Sequence, residues 1–331
     1  AVVINSGNAN ACTGERGIDD ARTMTSEVAR ELGCRPEEVL VCSTGVIGHF
    51  LPIEKITAGI PRAVAALGET VEAFEGAARA MLTTDTVTKQ SGRELVLSGG
   101  KCRVSGVAKG AAMIGPNMAT MLAVVMTDAT LSTDEADGML RRAVDESFNC
   151  VSVEGHTSTS DSVILLAGQG QPSPVTAEDL DQIGRAVRDV CIELARAIVG
   201  DAEGADHLVK IDVSGLKTRK EAERIARTIA DDALVKTAIT GNDPNWGRIV
   251  SCCGRCGVEL AEDDITLAIN GIEIYREGNP TAYDETRLSG SMRDSDEVHI
   301  ELSFPFGDAT VRFWTCDLTT EYVRLNSEYT T

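Results

Sequence analysis

The chain has 331 residues and a formal net charge of −20 at pH 7, and 43% of its residues are hydrophobic but only 4% are aromatic. This length allows two domains or one large one, with a core built from aliphatic side chains. The negative field argues against nucleic acids and anionic membranes as partners. No apolar run reaches eighteen residues and no signal peptide is present, so we predict no membrane span and a cytoplasmic protein whose cysteines are reduced and mostly buried.

The N-terminal half predicts helices and strands in irregular alternation. Strand character is found at 1–4 and 39–41, and because the chain opens inside a strand we expect that an N-terminal segment is missing. The spacing of apolar residues predicts amphipathic helices at 20–32, 52–66 and 71–82. Gly99-Gly100 predicts a hairpin turn, and Ser132 with Glu135 has the pattern of a capping box before another helix.

The C-terminal half continues this mixture. Thr176 predicts the cap of a long helix, a further amphipathic helix is predicted at 220–229, and Asn270-Gly271 predicts a second hairpin. Hairpins combined with long helices indicate an α+β fold, in which helices cover a mixed and largely antiparallel sheet. The polar stretch near 168–174 is the best candidate boundary, so we predict an N-terminal domain at 1–168 and a C-terminal α+β domain at 169–331.

The cysteines form one cluster, Cys252-Cys253-Gly254-Arg255-Cys256. It contains a C-x-x-C pair, but no second pair lies at the spacing of zinc ligands. We therefore predict no metal and interpret these thiols as small packing residues. A non-catalytic acidic binding protein with a metal at this cluster is the alternative from another class.

The segment 109–122, with the sequence KGAAMIGPNMATML, is the most informative part of the chain. It places Thr120 at the end of a loop containing Gly, Ala and Pro, directly before an apolar run at 121–126 that predicts a buried strand. A hydroxyl at this point suits self-cleavage, in which Thr120 attacks the carbonyl of Ala119 and becomes a new N-terminus. The freed α-amine, with an ordinary pKa of about 7.7 to 8, can then act as general base for its own hydroxyl.

Several specific motifs follow one another along the whole chain. They are NSGNANA at 5–11, STGVIG at 43–48, PNMATML at 116–122, GDAEG at 200–204 and DPNWGR at 243–248. In these motifs the chain resembles the glutamate N-acetyltransferase family, also called ornithine acetyltransferase, whose members act in arginine biosynthesis and cleave themselves into two subunits. The resemblance implies a layered αββα sandwich with an N-terminal-nucleophile-like site, plus a second α+β domain.

The activity that this resemblance implies is acyl transfer by a threonine. Thr120 would be the nucleophile and acetyl carrier, and cleavage between Ala119 and Thr120 would leave chains of residues 1–119 and 120–331. Thr44 and Gly45 would form the oxyanion hole. The acetyl group would pass from N-acetylornithine to glutamate without a cofactor, and many members also use acetyl-CoA as the donor.

The resemblance also implies six substrate contacts. They are Thr86, Lys109, Thr120, Glu203, Asn326 and Thr331. Because N-acetylornithine ends in an ammonium and glutamate in a carboxylate, we assign Glu203 to the cationic end and Lys109 to a carboxylate. Read singly, Lys109 is typical of a surface lysine and Glu203 of a carboxylate at a helix end. The C-terminal tail is expected to close the site, and two cleaved pairs are expected to form a dimer, giving a heterotetramer.

Two polar motifs have less certain roles in the sequence. The run 156–161 is expected near the site, with His156 where members of the family generally carry aspartate. The motif at 243–248 is interpreted as structural support. The alternative function within the enzyme class is an autoprocessed amidase or aminopeptidase of similar fold, in which water rather than an amine takes the acyl group.

Overall fold

The structure is a computed structural model that describes residues 1–113, 121–156, 158–168 and 176–328. The strands in these ranges are β1 (Val2–Asn8), β2 (Leu40–Val46), β3 (Lys89–Leu97), β4 (Gly100–Lys109), β5 (Leu122–Thr127), β6 (Ser162–Ala167), β7 (Leu208–Leu216), β8 (Thr266–Ile269), β9 (Ile272–Arg276), β10 (Asn279–Pro280), β11 (Glu297–Ser303) and β12 (Ala309–Cys316). The helices are α1 (Gly14–Leu32), α2 (Ile53–Ala65), α3 (Val71–Ala80), α4 (Thr133–Asp145), α5 (Ala177–Gly200), α6 (Arg219–Ala230), α7 (Ala233–Thr240), α8 (Trp246–Arg255), α9 (Glu285–Arg293) and α10 (Thr320–Glu328).

These strands form three sheets. β1 and β2 form a parallel pair, a four-stranded sheet has the order β3-β4-β5-β6, and a six-stranded sheet has the order β10-β9-β8-β11-β7-β12. Within the two larger sheets β5 runs parallel to β6 and β11 runs parallel to β7, whereas the other neighbours are antiparallel. Helix α5 packs on β3 and β4, and α6 packs on β7 and β12. The predicted α+β fold with a largely antiparallel sheet is therefore confirmed.

Local sequence signals explain where several elements begin and turn. The Ser132 hydroxyl accepts a hydrogen bond from the N–H of Glu135, whose carboxylate accepts one from the N–H of Ser132, so the predicted capping box opens α4. Thr176 caps α5 in the same way. Asn270 and Gly271 both have positive φ, of 48° and 73°, which is the geometry that a two-residue hairpin between β8 and β9 requires.

One end of the four-stranded sheet gathers three segments that are far apart in the sequence. Lys109, the last residue of β4, pairs with Leu122, the first residue of β5. Leu122 in turn pairs with Ser162, the first residue of β6. The apolar run of β5 is buried as predicted, at five of its six positions. The residues just outside these strand ends, Met121 and Asp161, therefore lie beside Lys109 at one end of the sheet.

The predicted domain boundary falls between Gly168, which is described, and residue 169, which lies outside the described ranges, and this division stays a prediction. Helix α5, on the C-terminal side of that boundary, packs on two strands from the N-terminal side. One apolar core accordingly includes Val125 of β5, Val190 of α5 and Ile211 of β7. Throughout the described part of the chain, we find no helix that combines the length and apolar character needed to cross a bilayer.

Candidate active site

Thr44 and Gly45, the predicted oxyanion hole, lie near the end of β2. Thr44 is completely buried. Gly45 pairs with Gly7 of β1 and has a φ of +129°, a backbone conformation that side chains disfavour. A Cβ atom at Gly45 would lie 2.3 Å from the carbonyl carbon of Gly7. Glycine is therefore required here both by the backbone angle and by the close approach of the two strands.

Lys109 lies at the end of β4 with only 2% of its surface exposed. Its Nζ donates hydrogen bonds to Thr44 Oγ1 at 3.1 Å and to Thr83 Oγ1 at 2.8 Å. Burial lowers the pKa of the Lys109 ammonium, and the negative charge of Asp85 opposes this effect. The reading of Lys109 as a surface lysine is wrong, because the residue is part of the floor of the site.

Asp85 connects two buried lysines beneath the site. Its side chain is fully buried, and its carboxylate accepts hydrogen bonds from Lys89 Nζ at 2.7 Å and from the N–H of Gly110 at 2.5 Å, with Lys109 Nζ at 3.8 Å. Burial opposes ionisation, but the two lysines and the Gly110 N–H together outweigh it and lower the pKa of Asp85. Sequence reasoning took this segment only for the end of a helix, since the partners of Asp85 are not adjacent in the sequence.

Thr86, a predicted substrate contact, hydrogen-bonds to another acidic residue in the same region. Its N–H and its hydroxyl both donate to the carboxylate of Asp201, which also accepts from Lys89 Nζ at 2.5 Å. Thr86 thus extends the charged network of Asp85 and Lys89, and its contact with substrate stays a prediction.

Glu203 and Asn326 meet where the C-terminal helix covers the site. Asn326 of α10 donates from Nδ2 to Glu203 Oε2 at 3.1 Å, and the N–H of Glu203 donates to the carbonyl of Ala111 at 3.0 Å. Gly204 has a φ of +66°, and a Cβ there would lie 2.5 Å from the backbone nitrogen of Tyr322. This close approach seats α10 against the loop after α5, in agreement with the expectation that the C-terminal segment covers the site.

These segments enclose a cavity of about 200 Å³. Its described lining residues are Gly45, Ile47, Thr83, Thr84, Lys109, Ala112, Met113, Glu154, His156, Thr159, Glu203, Tyr322 and Asn326. Four of the predicted site residues, Gly45, Lys109, Glu203 and Asn326, therefore face one space, and Thr44 lies directly behind it. The cavity is smaller than the roughly 300–1,000 Å³ of pockets for drug-sized ligands, so its size suits a molecule comparable to one amino acid.

The residues at the predicted cleavage point, Ala119 and Thr120, lie outside the described residues, as does Thr331. The next residue in the chain, Met121, is described. Its N–H donates to Asp161 Oδ1 at 2.9 Å and its carbonyl accepts from the N–H of Ser162 at 3.1 Å. Burial raises the pKa of the Asp161 carboxyl to about 7. The polar run at 156–161 thus contributes cavity-lining residues and a carboxyl group that holds the start of β5, a role that its composition alone did not indicate.

The remaining motifs lie in structural positions. Asn245 caps α8 by accepting from the N–H of Arg248, and Trp246 stacks on Tyr275 with ring centroids 5.2 Å apart, which agrees with a supporting role for this motif. All ten cysteines are free and eight are buried. Burial raises the pKa of Cys252 to about 11. Over the described ranges, the His, Cys, Asp and Glu side chains form no group of three or more that could hold a metal ion.

Comparison with known proteins gives concordant matches. The profile of the ArgJ family matches residues 1–331. The chain is 42% identical to the arginine biosynthesis bifunctional protein ArgJ of Rhodopirellula baltica and 43% identical to that of Methylococcus capsulatus; it is covered completely in both cases and spans 82% and 81% of those proteins. The crystal structure of ArgJ from Bacillus halodurans is similar with a TM-score of 0.59 at 35% identity, over 61% of this chain and 96% of that one.

Proposed function

The chain belongs to the ArgJ family of acetyltransferases in arginine biosynthesis, and we propose that it moves an acetyl group from N-acetylornithine to glutamate through an acetylated Thr120. One observation carries this proposal. Gly45, Lys109, Glu203 and Asn326 come from four separate segments of the chain and line the same small cavity. No local pattern in the sequence requires this convergence, whereas a shared substrate site does.

The proposed transfer has two half-reactions. The Thr120 oxygen adds to the acetyl carbonyl of N-acetylornithine and gives its proton to the α-amine of Thr120. The resulting oxyanion is stabilised by the Thr44 hydroxyl and the Gly45 N–H. The carbon–nitrogen bond then breaks, ornithine leaves with the proton on its amine, and the glutamate amine attacks the acetyl-threonine in the reverse sequence.

The polar groups of the cavity suit two substrates that differ in side-chain charge. Glu203, held by Asn326, provides a carboxylate for the ammonium of ornithine. Lys109 provides a buried positive charge for a carboxylate. Both substrates carry an α-carboxylate, so one cavity can receive them in turn.

Cleavage before Thr120 would leave both products in the same sheet. β4 belongs to residues 1–119 and β5 to residues 120–331, and these strands pair in register from Val104 with Thr127 to Lys109 with Leu122. A cut in the connection between them leaves this ladder intact. We therefore propose that the two fragments remain one folded unit. An activity assay tests whether acetyl-CoA can serve as a donor, and light scattering tests whether two such units form a dimer.

The proposal is tested by intact mass, a denaturing gel and an ornithine-release assay. Wild-type protein should give two fragments that begin at Ala1 and Thr120, and release of ornithine beyond one equivalent per active site should require glutamate. Thr120→Ala should remain one inactive chain, whereas Thr120→Ser, which keeps a hydroxyl, should still be cut.

Two results would overturn the proposal. An uncut wild-type chain with full activity would remove the role of Thr120. Repeated turnover that releases ornithine without glutamate would favour the amidase alternative.

A further inference from the structure

We propose that Asp85 is a positioning residue, which keeps the Lys109 ammonium charged and thereby directs the proton of the Thr44 hydroxyl toward the reacting acyl oxygen. This inference rests on the proposed oxyanion role of Thr44. It concerns the three side chains that lie closest behind the cavity, and it adds a function for a carboxylate that does not line the cavity.

The hydrogen bond between Lys109 and Thr44 has a fixed direction when the lysine is charged. An ammonium group only donates, so Thr44 Oγ1 must accept from Lys109 Nζ across the observed 3.1 Å. The Thr44 proton then points away from Lys109. Nothing in the described part of the chain accepts a hydrogen bond from this hydroxyl, and the neighbouring residue Gly45 faces the cavity. A charged Lys109 therefore leaves the Thr44 proton without an acceptor among the described residues, and we assign it to the acyl oxygen.

A neutral Lys109 would reverse this arrangement. An uncharged amine has a lone pair, and the Thr44 hydroxyl at 3.1 Å could turn toward the nitrogen, as could the Thr83 hydroxyl at 2.8 Å. The proton would then point to Lys109 and the oxyanion would lose one of its two donors. Loss of one such donor lowers kcat by about 10²- to 10³-fold in other enzymes.

The charge on Lys109 is opposed by burial and by one like charge, and is supported by three carboxyl groups. Asp85 precedes β3, Glu203 follows α5 and Asp161 precedes β6, and each favours the ammonium, while Lys89 of β3 disfavours it. Asp85 is the strongest of the three carboxylates and lies 3.8 Å away. Burial lowers the pKa of Lys109 and this carboxylate counteracts the effect, so removing the charge of Asp85 should lower the pKa of Lys109 further.

The test is the pH dependence of kcat in a double-mutant cycle of Asp85→Asn and Thr44→Ala. Asparagine has nearly the same shape as aspartate and its Oδ1 can still accept from the Gly110 N–H, so the variant loses the charge and the acceptor of the Thr83 N–H. We expect the alkaline limb of the kcat profile to move down by about 1 to 3 pH units in Asp85→Asn, the usual effect of losing a close opposite charge. In the Thr44→Ala background, Asp85→Asn should leave the profile unchanged, because there is no hydroxyl to turn.

Asp231→Asn is the control, since it neutralises a carboxyl group on the side of a different buried lysine, Lys236. It should leave the alkaline limb in place. A fall in kcat that is the same at every pH, or the same in both Thr44 backgrounds, would overturn the role of Asp85. The wild-type protein must transfer acetyl for these measurements to be made, so a failure of the proposed function is seen separately and first.

A second measurement does not depend on the folding of Asp85→Asn. In protein labelled with ¹³C at the lysine ε-carbon, the signal lost in Lys109→Met identifies Lys109, and its shift reports the charge as the pH is raised. We expect a charged Lys109 at pH 7, with a titration midpoint that coincides with the alkaline limb of kcat and with no such limb in Thr44→Ala. A neutral Lys109 at pH 7, or an alkaline limb that persists in Thr44→Ala, would overturn the inference.

Discussion

Two buried lysines, Lys109 and Lys236, have similar surroundings but differ in one respect. Lys109 is 2% exposed and Lys236 is 3% exposed, and each donates a hydrogen bond to a buried threonine hydroxyl. The Thr315 hydroxyl beside Lys236 donates onward to the carbonyl of Ala230 at 3.1 Å. The Thr44 hydroxyl beside Lys109 has no such acceptor in the described part of the chain. The first arrangement is complete within the protein, and the second is left open toward a cavity.

The carboxyl groups of Asp85 and Asp231, which interact with Lys109 and Lys236 respectively, differ as well. Asp85 lies between Lys89 and Lys109, and these charges keep its pKa below the ordinary value of aspartate. At Asp231, on the side of Lys236, desolvation of the carboxyl group raises its pKa although the residue as a whole is exposed, while Ser152 and Lys236 favour its ionised form. We infer that Lys236 is structural, because protein groups satisfy all the hydrogen bonds around it. Lys109 is available for chemistry, because a carboxylate favours its charge and the neighbouring Thr44 hydroxyl has no acceptor among the described residues.

The largest difference between the two lysines should be found in catalysis. We expect Lys109→Met to lower kcat, by at most the roughly 10²- to 10³-fold that loss of an oxyanion donor costs, because the Thr44 hydroxyl loses the donor that orients it. The free energy of unfolding should change much less, since Asp85 keeps Lys89 and the Gly110 N–H as partners. Steady-state kinetics and urea denaturation of the same preparation separate the two effects. A kcat within threefold of wild type would contradict the proposed difference between a catalytic role for Lys109 and a structural role for Lys236.

The second prediction concerns Lys236, whose loss should affect stability rather than catalysis. Lys236→Met should lower the free energy of unfolding by about 2 kcal/mol, because the carbonyl of Cys316 loses its charged donor and stays buried. The kcat of the folded fraction should stay within about threefold of wild type. Equilibrium denaturation followed by kinetics at a temperature well below the transition gives both values. A large loss of kcat with unchanged stability would show that Lys236 is not merely structural.

Much of the local structure was predictable, since it is encoded by residues that are close in the sequence. The caps at Ser132 and Thr176 and the turn at Asn270-Gly271 each need only a few neighbouring residues. Helix α1 begins at Gly14, earlier than predicted, because its first turns are mostly polar and exposed and carry no apolar periodicity. The order of the six-stranded sheet was not predictable, because the parallel pairing of β11 with β7 has no local signal.

The candidate site was predicted through family resemblance rather than through local patterns. The motifs led to Thr44, Gly45, Lys109, Glu203 and Asn326, and the structure places these residues at or directly behind one cavity. The charged network beneath them was missed. Lys89 and Asp201 are 112 positions apart in the sequence, and a lysine in a strand is ordinarily expected to face solvent. Only the pairing of strands and the placement of α5 make these residues neighbours.

The smallest expected effect compares the two carboxyl groups by the pH dependence of stability. The pKa of Asp85 is lowered on folding, so its stabilising contribution is complete above the unfolded pKa of about 3.9 and is lost as the pH falls through the folded value. The pKa of Asp231 is raised, so its contribution is largest at low pH and falls as the pH rises from about 3.9 through the folded value.

Asp85→Asn should therefore destabilise the protein more at pH 7 than at pH 3, and Asp231→Asn should destabilise it less at pH 7 than at pH 3. Urea denaturation of both variants across this pH range measures the two differences. If the destabilisation of both variants changed in the same direction with pH, the two carboxyl groups would share one electrostatic environment. The distinction between the Lys109 site, which opens toward the cavity, and the Lys236 site, which is complete within the protein, would then lose its physical basis.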